Sequence, residues 1–434
     1  GGWAMDLHPA DGIYSKHSSC TQWHSRGVYT IPYRCYYSKD IHNLFLAGRI
    51  ISATHVAFGS TRVMLTCALG AQAVGQAAAI CSKNNWIPRD LSDKEKIKLL
   101  QSVLNRNGQS IPRVKMGDEL DIATKATITT SSQLQFDGFN AGEEWKALTF
   151  STAQLLPLDP GTSYAFNFEV EALADTCLEI QLKVSSVNTH YTPDVILQIE
   201  KYDLKSGIHQ IAFNTKTALS EKQYAYVCLM KNENIRVRVS EERCSAIMTV
   251  YNRINKAVSN YGKQEPPPNI GIDSFEFWTP ERRPGGKNLF FSVSPPLDIF
   301  SPGNLMNGEV RPSPGGETNV WIAEKNDETP FVKLNWEQEI SIQKICIFFD
   351  SDYDHALEST LMEHPESSIP FIVSDYSIED EYGNLLKEVK GNYQAINSIT
   401  FDQPFKASTL VFNFSRKQEH IPVSVFNISV YEAI

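Results

Sequence analysis

The residues best suited to chemistry gather near the start of this 434-residue chain. His8, His17, His24 and His55 fall within its first 55 positions, with Arg34, Arg49 and Arg62 around them. A histidine titrates near neutrality and can give or take a proton, while a guanidinium holds an anion through two parallel hydrogen bonds. Together they suit a reaction that moves a proton beside a negatively charged group. They do not suit a metal, because the histidine spacings fit no compact ligand motif and supporting carboxylates are few. The eight cysteines contain no Cys-x-x-Cys pair, which argues equally against zinc. A purely structural use of the same residues stands beside this reading, with the arginines paired to carboxylates and His55 only capping a helix.

Three elements must position these groups. Leu44–Ala47 is a short apolar run ending at Gly48, as expected of a buried strand. Gly48 to Gly59 reads as a turn region carrying Arg49, Ser52, Thr54 and His55. From about Ser60 the spacing predicts one long helix, N-capped by Ser60 or Thr61 and rich in alanine and glycine. Gly70 and Gly75 each cost about 1 kcal/mol relative to alanine inside a helix, so something is expected to approach the backbone closely there. A strand, a turn and a helix start present unpaired N–H groups and a helix dipole to an anion. The arrangement is equally that of an ordinary strand–helix packing unit.

Three motifs carry a resemblance. Gly1-Gly2-Trp3-Ala4-Met5-Asp6-Leu7-His8-Pro9, Tyr29–Arg34 and Asn43–Met64 together resemble the C-terminal flavin-contacting segment of FAD-dependent oxidoreductases related to fumarate reductase and glutathione reductase. Some members of this branch carry the name xanthan lyase. The resemblance covers about the first 110 residues and implies that His8, Tyr33, Arg34, His55 and Arg62 lie near the flavin or the substrate. It implies further that Gly48, Arg49, Ser52, Thr54, Gly59, Ser60 and Thr61 contact the cofactor, FAD. A reduced flavin is negatively charged at N1 and the C2 carbonyl, which a helix N-terminus stabilises. The wider superfamily commonly has an acidic residue after the glycine to bind the ribityl chain; Arg49 stands there instead. No strand followed by Gly-x-Gly-x-x-Gly and a helix occurs anywhere in the chain. It therefore reads as the C-terminal part of such an enzyme and is expected not to hold FAD unaided.

The fold class expected is an incomplete α/β FAD-binding fragment (residues 1–113) followed by two antiparallel β-sandwiches (114–260 and 270–434). Lys94–Asn105 has the apolar spacing of a last amphipathic helix, capped by Ser92 or Asp93 and ended by Gly108. From there the apolar period changes to two, in seven runs between Ala123 and Glu241, as in a jelly roll. Trp145 reads as core or edge packing rather than a sugar platform. Gln264–Asn269, with three prolines, reads as a stiff linker. Asn304–Gly308, Asn319–Ile322 and the strand pair from Pro330 to Asp350 resemble the discoidin, or coagulation factor 5/8 type C, galactose-binding-like sandwich, with Asn307 in place of the usual Asp. That resemblance implies carbohydrate binding by end loops and a structural Ca²⁺ near Asn307-Gly308. Carbohydrate contacts are expected at Trp321, Arg311, Asp350, Asp352 and His355. Three acids between Asp350 and Asp354 also suit a hard cation or a solvated loop. Glu358 and Glu363 invite a glycosidase reading that needs a cleft no spacing can supply.

A net charge of −10 and the absence of basic runs exclude a nucleic-acid partner. No uninterrupted apolar run approaches the roughly 18 residues of a membrane span. An even cysteine count permits disulfides, one among Cys177, Cys228 and Cys244 included, without requiring them; a periplasmic or secreted location is favoured. The function expected is hydride transfer on a small, sugar-derived alcohol or carbonyl, with glycan-binding accessory domains. The alternatives are a non-catalytic glycan-binding module and a polysaccharide lyase, for which no catalytic base and cation can be assembled.

Overall fold

Small apolar residues at helical spacing between positions 55 and 106 fold into three helices. The computed structural model describes residues 1–16, 18–253, 262–269, 271–281, 285–355, 366 and 368–432. In it α1 spans His55–Thr61, α2 Met64–Asn84 and α3 Lys96–Arg106. The single helix expected from Ser60 is thus broken. Arg62 ends α1 and Val63 turns extended (φ −72°, ψ 149°) before α2 begins; a β-branched residue accepts that backbone readily. Thr54, not Ser60 or Thr61, caps α1, its hydroxyl accepting from Ala57 N at 3.3 Å. Ser60 and Thr61 are buried in the last turn of α1.

The glycines of α2 divide. A Cβ on Gly70 would lie 2.9 Å from the Tyr36 ring, so the expected close approach is real there; one on Gly75 would meet nothing within 4 Å. α2 ends at Asn85 in the left-handed region (φ 55°), whose N–H reaches the Cys81 and Ser82 carbonyls. The aspartate expected to start α3 does so, Asp93 Oδ1 accepting from Glu95 N and Lys96 N. Leu100 and Leu104 on α3 pack with Leu91 against Ala77, Ile80 and Cys81 of α2. By length and composition α2 is apolar enough to cross a membrane. Leu44–Ala47 forms no strand: only an isolated bridge joins Phe45 to Tyr37, and Leu44 is exposed. A run this short has no neighbouring ladder to complete.

The chain divides into two compact units: Gly1–Asp118 with His190–Thr192 and Arg253–Trp278, and Glu119–Thr189 with Pro193–Asn252 and Thr279–Ile434. Besides the helices, the first unit contains two short antiparallel hairpins, Met5–Leu7 with Thr21–Trp23 and Gly262–Gln264 with Phe275–Phe277. The second hairpin replaces the expected linker. Gln264 is almost wholly buried, and Asn269 at φ 68° helps to turn the chain back.

Among the described residues of the second unit, every pairing between strands is antiparallel, with one isolated parallel bridge joining Pro160 to Leu219. One sheet runs Thr279–Pro280, Met248–Asn252, Ser151–Leu158, Gln223–Leu229, Thr176–Val184, Val195–Leu204. It faces a second sheet built from Phe136–Phe139, Ala165–Ala172, Gly207–Asn214, Ile235–Ser240 and Phe291–Leu297, with Trp145–Ala147 and Asn288–Leu289 at its margin. Phe136, Phe139, Phe166, Phe168 and Phe291 meet in the core, Phe168 stacked on Phe291 and the other pairs edge-to-face or tilted. The sandwich draws strands from beyond residue 279, so its pairing crosses the boundary expected near 260–270. Conversely, Thr127–Thr130 pairs with Val332–Asn335 of the C-terminal sheet. That sheet is organised by two 19-residue strands, Phe331–Phe349 and Ile396–Phe414, which bend at bulges between Asn335 and Ile340. One half of Phe331–Phe349 pairs with Thr127–Thr130 and the other with Ser424–Tyr431, so one bent sheet supplies both layers. The eight cysteines are all free thiols, so the bridge considered among Cys177, Cys228 and Cys244 does not form.

Candidate functional site

In the first unit, α1 and the loop after Trp23 flank an open cavity of about 470 Å³. Thr54, Val56, Ala57, Ser60 and Thr61 form one wall; Met5, His24, Ser25, Arg26 and Tyr29 form another, and Gly271–Asp273 with Phe275 close it. Gly59 lets α1 lie tightly on the first hairpin, because a Cβ there would sit 2.9 Å from Asp6 O. Ser60 Oγ donates to Trp3 O at 2.7 Å and is also bonded to the Tyr29 hydroxyl. Thr61 Oγ1 donates back to Ala57 O at 3.1 Å.

The opposite wall carries the charge. Arg26 Nη2 donates to Asp273 O at 2.9 Å, and its guanidinium lies 5.1 Å from the Phe275 ring centre. His24 stacks on Phe277 with ring centres 4.0 Å apart, and its backbone N–H reaches Gln264 Oε1. Burial pushes His24 down to about 4, so its ring is neutral at pH 7. Burial pushes the Tyr29 phenol up, against the opposing effect of its bond to Ser60, and it too is neutral. The cavity is therefore lined by hydroxyls, neutral rings and apolar side chains, with the Arg26 guanidinium and the acidic residue Asp273 on one side.

Of the residues expected from sequence, Thr54, Ser60 and Thr61 line this cavity. His55 is the exposed first residue of α1 and is not among the lining residues. Arg62 is held by Asp6, Nη2 donating to both its carbonyl and its carboxylate at 3.2 Å. His8 is bonded to Ser19 O at 3.0 Å and lies 3.3 Å from the Asp6 carboxylate. Arg34 and Arg49 sit exposed on short 3₁₀ turns, Gly48 leads the second at φ 65°, and Ser52 N donates to Cys35 O. Of the other lining residues, His24 was among the candidate histidines, whereas sequence reasoning missed Arg26 and Asp273. Nothing in a proline-rich stretch signals a hairpin over 262–277, and no local pattern links it to Arg26.

The carbohydrate residues expected in the second unit lie inward. Trp321 is wholly buried, and its indole N–H donates to Ser132 O at 3.0 Å, so it packs the core and offers no face to a sugar. Asp350 and Asp352 are buried as well. Asp350 accepts from Ser245 and Ser424 hydroxyls and from Asp352 N; Asp354 accepts from Ala246 N at 2.7 Å, and His355 Nδ1 lies 2.7 Å from Asp352 Oδ1. Burial pushes Asp350 up to about 7 and raises Asp354. Burial opposes the charge on His355, but its bond to Asp352 and the nearby carboxylates raise it overall. Arg311 lies 5.6 Å from the Tyr353 ring centre. The group fastens the turn after Arg243 to the C-terminal sheet rather than facing a ligand. Trp145 has Arg238 5.7 Å from its ring centre, in keeping with edge packing. His17, Glu358 and Glu363 lie outside the described residues.

A larger cleft of about 1080 Å³ opens elsewhere in the second unit, lined by Asp137, Asn140, Glu241, Glu242, Glu324, Lys325, Arg416 and His420 among others. Lys325 Nζ bridges Gly138 O and Glu242 Oε2, each at 2.8 Å. Burial works against the Glu242 charge, but its bonds to Lys325 and Asn140 hold its carboxyl below the usual range.

Residues 1–104 match the family model described as FAD dependent oxidoreductase, which bears out the resemblance carried by the first three motifs. No curated protein matches the chain. Among solved structures, the family 32 carbohydrate-binding module of EndoD from Streptococcus pneumoniae is 16% identical over 32% of this chain and 88% of its own, with a TM-score of 0.24. A family 32 module of NanJ from C. perfringens, solved with galactose, is 15% identical over 31% and 88%, with a TM-score of 0.23. A fucose-binding module, SpX-3, from Streptococcus pneumoniae is 16% identical over 30% and 84%, at 0.22. The β-sandwich assignment stands on the strand pairing above.

Proposed function

We propose that the first unit is the flavin-proximal part of an FAD-dependent oxidoreductase and that its α1 cavity receives one end of the cofactor. The observation that carries this reading is a coincidence in sequence. The segment matching the oxidoreductase family, residues 1–104, supplies every wall of the cavity except the hairpin segment 271–275. FAD would supply a two-electron acceptor at its ring. Thr54, Ser60 and Arg26 would bind and orient that ring, and Phe275 would exclude water from it. The substrate on this reading is a small alcohol or carbonyl of sugar type. Among the described residues no strand, glycine turn and helix offers a pyrophosphate site, so the affinity expected for FAD is low. Titration of the purified chain with FAD, read by quenching of flavin fluorescence, tests this. Saturable binding that Arg26→Ala weakens about tenfold supports it, and binding unchanged in that variant overturns it.

A second reading concerns the other unit: glycan binding in the cleft around Glu242. It is supported by a polar lining of carboxylates, amides and two cations suited to sugar hydroxyls. Calorimetry with galactose- and glucosamine-type oligosaccharides tests it, with Glu324→Gln expected to weaken any isotherm.

A further inference from the structure

The loop from Ser301 to Val320 carries the turn at which the discoidin-like resemblance implies a structural Ca²⁺. Its oxygens do converge on one point. Ser313 Oγ and Arg311 O lie 2.9 and 3.0 Å from it, and Glu309 Oε2 and Glu317 O lie 3.4 Å away. Such a set of hard oxygens suits Ca²⁺. The point itself, however, is the amide nitrogen of Asn319, a buried residue in the left-handed region at φ 57°.

The orientation of that amide is fixed from outside it. Glu309 N–H can only donate, and it donates to Asn307 Oδ1 at 2.8 Å. Asn307 must then turn its Nδ2 outward, and it donates at 2.7 Å to Asn319 Oδ1. Asn319 Nδ2 is left facing the oxygens. Its two protons serve the two nearest acceptors, and the Ser313 hydroxyl passes its own proton on to Glu309 Oε2 at 2.6 Å. A cation needs oxygens at roughly 2.3–2.6 Å, in the space this nitrogen fills. Asn307, where the resembling family has Asp, is the residue that sets the relay.

We propose that the Asn319 amide stands in for the cation and that this loop is held without metal. The loop is then indifferent to chelation, where the discoidin-like resemblance implies a structural Ca²⁺.

Thermal unfolding of the full chain, in EDTA and in millimolar Ca²⁺, together with calorimetric titration by Ca²⁺ alone, tests this. The unmodified chain is expected to give the same Tm in both and no binding isotherm. Asn319→Gly, which suits the left-handed backbone at this position, removes the amide and vacates the point where the oxygens converge; it is expected to gain a Ca²⁺-dependent rise in Tm of at least about 2 °C. A fall in Tm of the unmodified chain on chelation, or a one-site isotherm, overturns the proposal. So does a folded Asn319→Gly variant that ignores Ca²⁺. If that variant does not fold, the two measurements on the unmodified chain decide alone.

Discussion

The guanidinium of Arg62 donates to both the backbone carbonyl and the carboxylate of Asp6, clamping the end of α1 to the Met5–Leu7 strand. This bond explains why an arginine expected beside a substrate has a structural task instead. Both side chains are largely shielded from water, at 26% and 17% exposure, so the pair is not a screened surface contact.

Arg62→Gln is therefore expected to lower the stability of the first unit by about 1–2 kcal/mol, since a charged hydrogen bond is lost. Asp6→Asn should add little in that background, because the two changes remove one interaction. A double-mutant cycle by urea unfolding checks this. Fully additive losses would show that the two residues act separately.

Gly70 and Gly75 should respond to alanine with opposite signs. At Gly70 the new methyl would meet the Tyr36 ring at 2.9 Å, forcing a shift that typically costs about 1–3 kcal/mol. At Gly75 the methyl enters open space in a helix interior, where alanine gains about 0.5–1 kcal/mol. Thermal unfolding of the two single variants distinguishes them directly.

Those two glycines also show what the sequence could and could not disclose. Helical spacing reveals that α2 exists and that it is crowded somewhere, but the crowding partner, Tyr36, lies 34 positions away by chain count. The β-strands of the second unit were legible wherever apolar residues alternate, as in Ala165–Ala172 and Ile235–Ser240. Ser151–Leu158 escaped notice because it is buried on both faces and so does not alternate. The break at Val63 was hidden because its residues are all tolerated in a helix. The Arg26–Asp273 contact was beyond reach, since a bond across so long a loop leaves no local periodicity.

His24 gives the first unit a dependence on acid. Burial lowers its pKa from 6.5 to about 4, so the folded state resists a proton that the unfolded chain accepts. Its contribution is complete above pH 6.5 and is lost as pH falls through that interval toward 4. His24→Phe keeps the stacking on Phe277 and removes the titration. Its Tm should fall less than that of the unmodified chain across the same interval, and an identical fall in both would refute the assignment.

Asp350 works in the opposite direction. Burial raises it from 3.8 to about 7, so here the folded state holds a proton that the unfolded chain has released. Its contribution is complete below pH 3.8 and is lost as pH rises toward 7. Asp354 and His355 are shifted upward too, so both add to the same trend, His355 between 6.5 and its raised value. The Ser245 hydroxyl that bonds to Asp350 ties the first sandwich of this unit to the C-terminal sheet, where Ser424 bonds to the same carboxyl from within that sheet. Asp350→Asn mimics the protonated form at every pH. The variant should approach the unmodified chain in Tm under acid conditions and exceed it at neutral pH and above. A gap between the two that stays constant from pH 3.8 to about 7 would mean that Asp350 is already charged throughout and that the hydroxyls, not a proton, stabilise it.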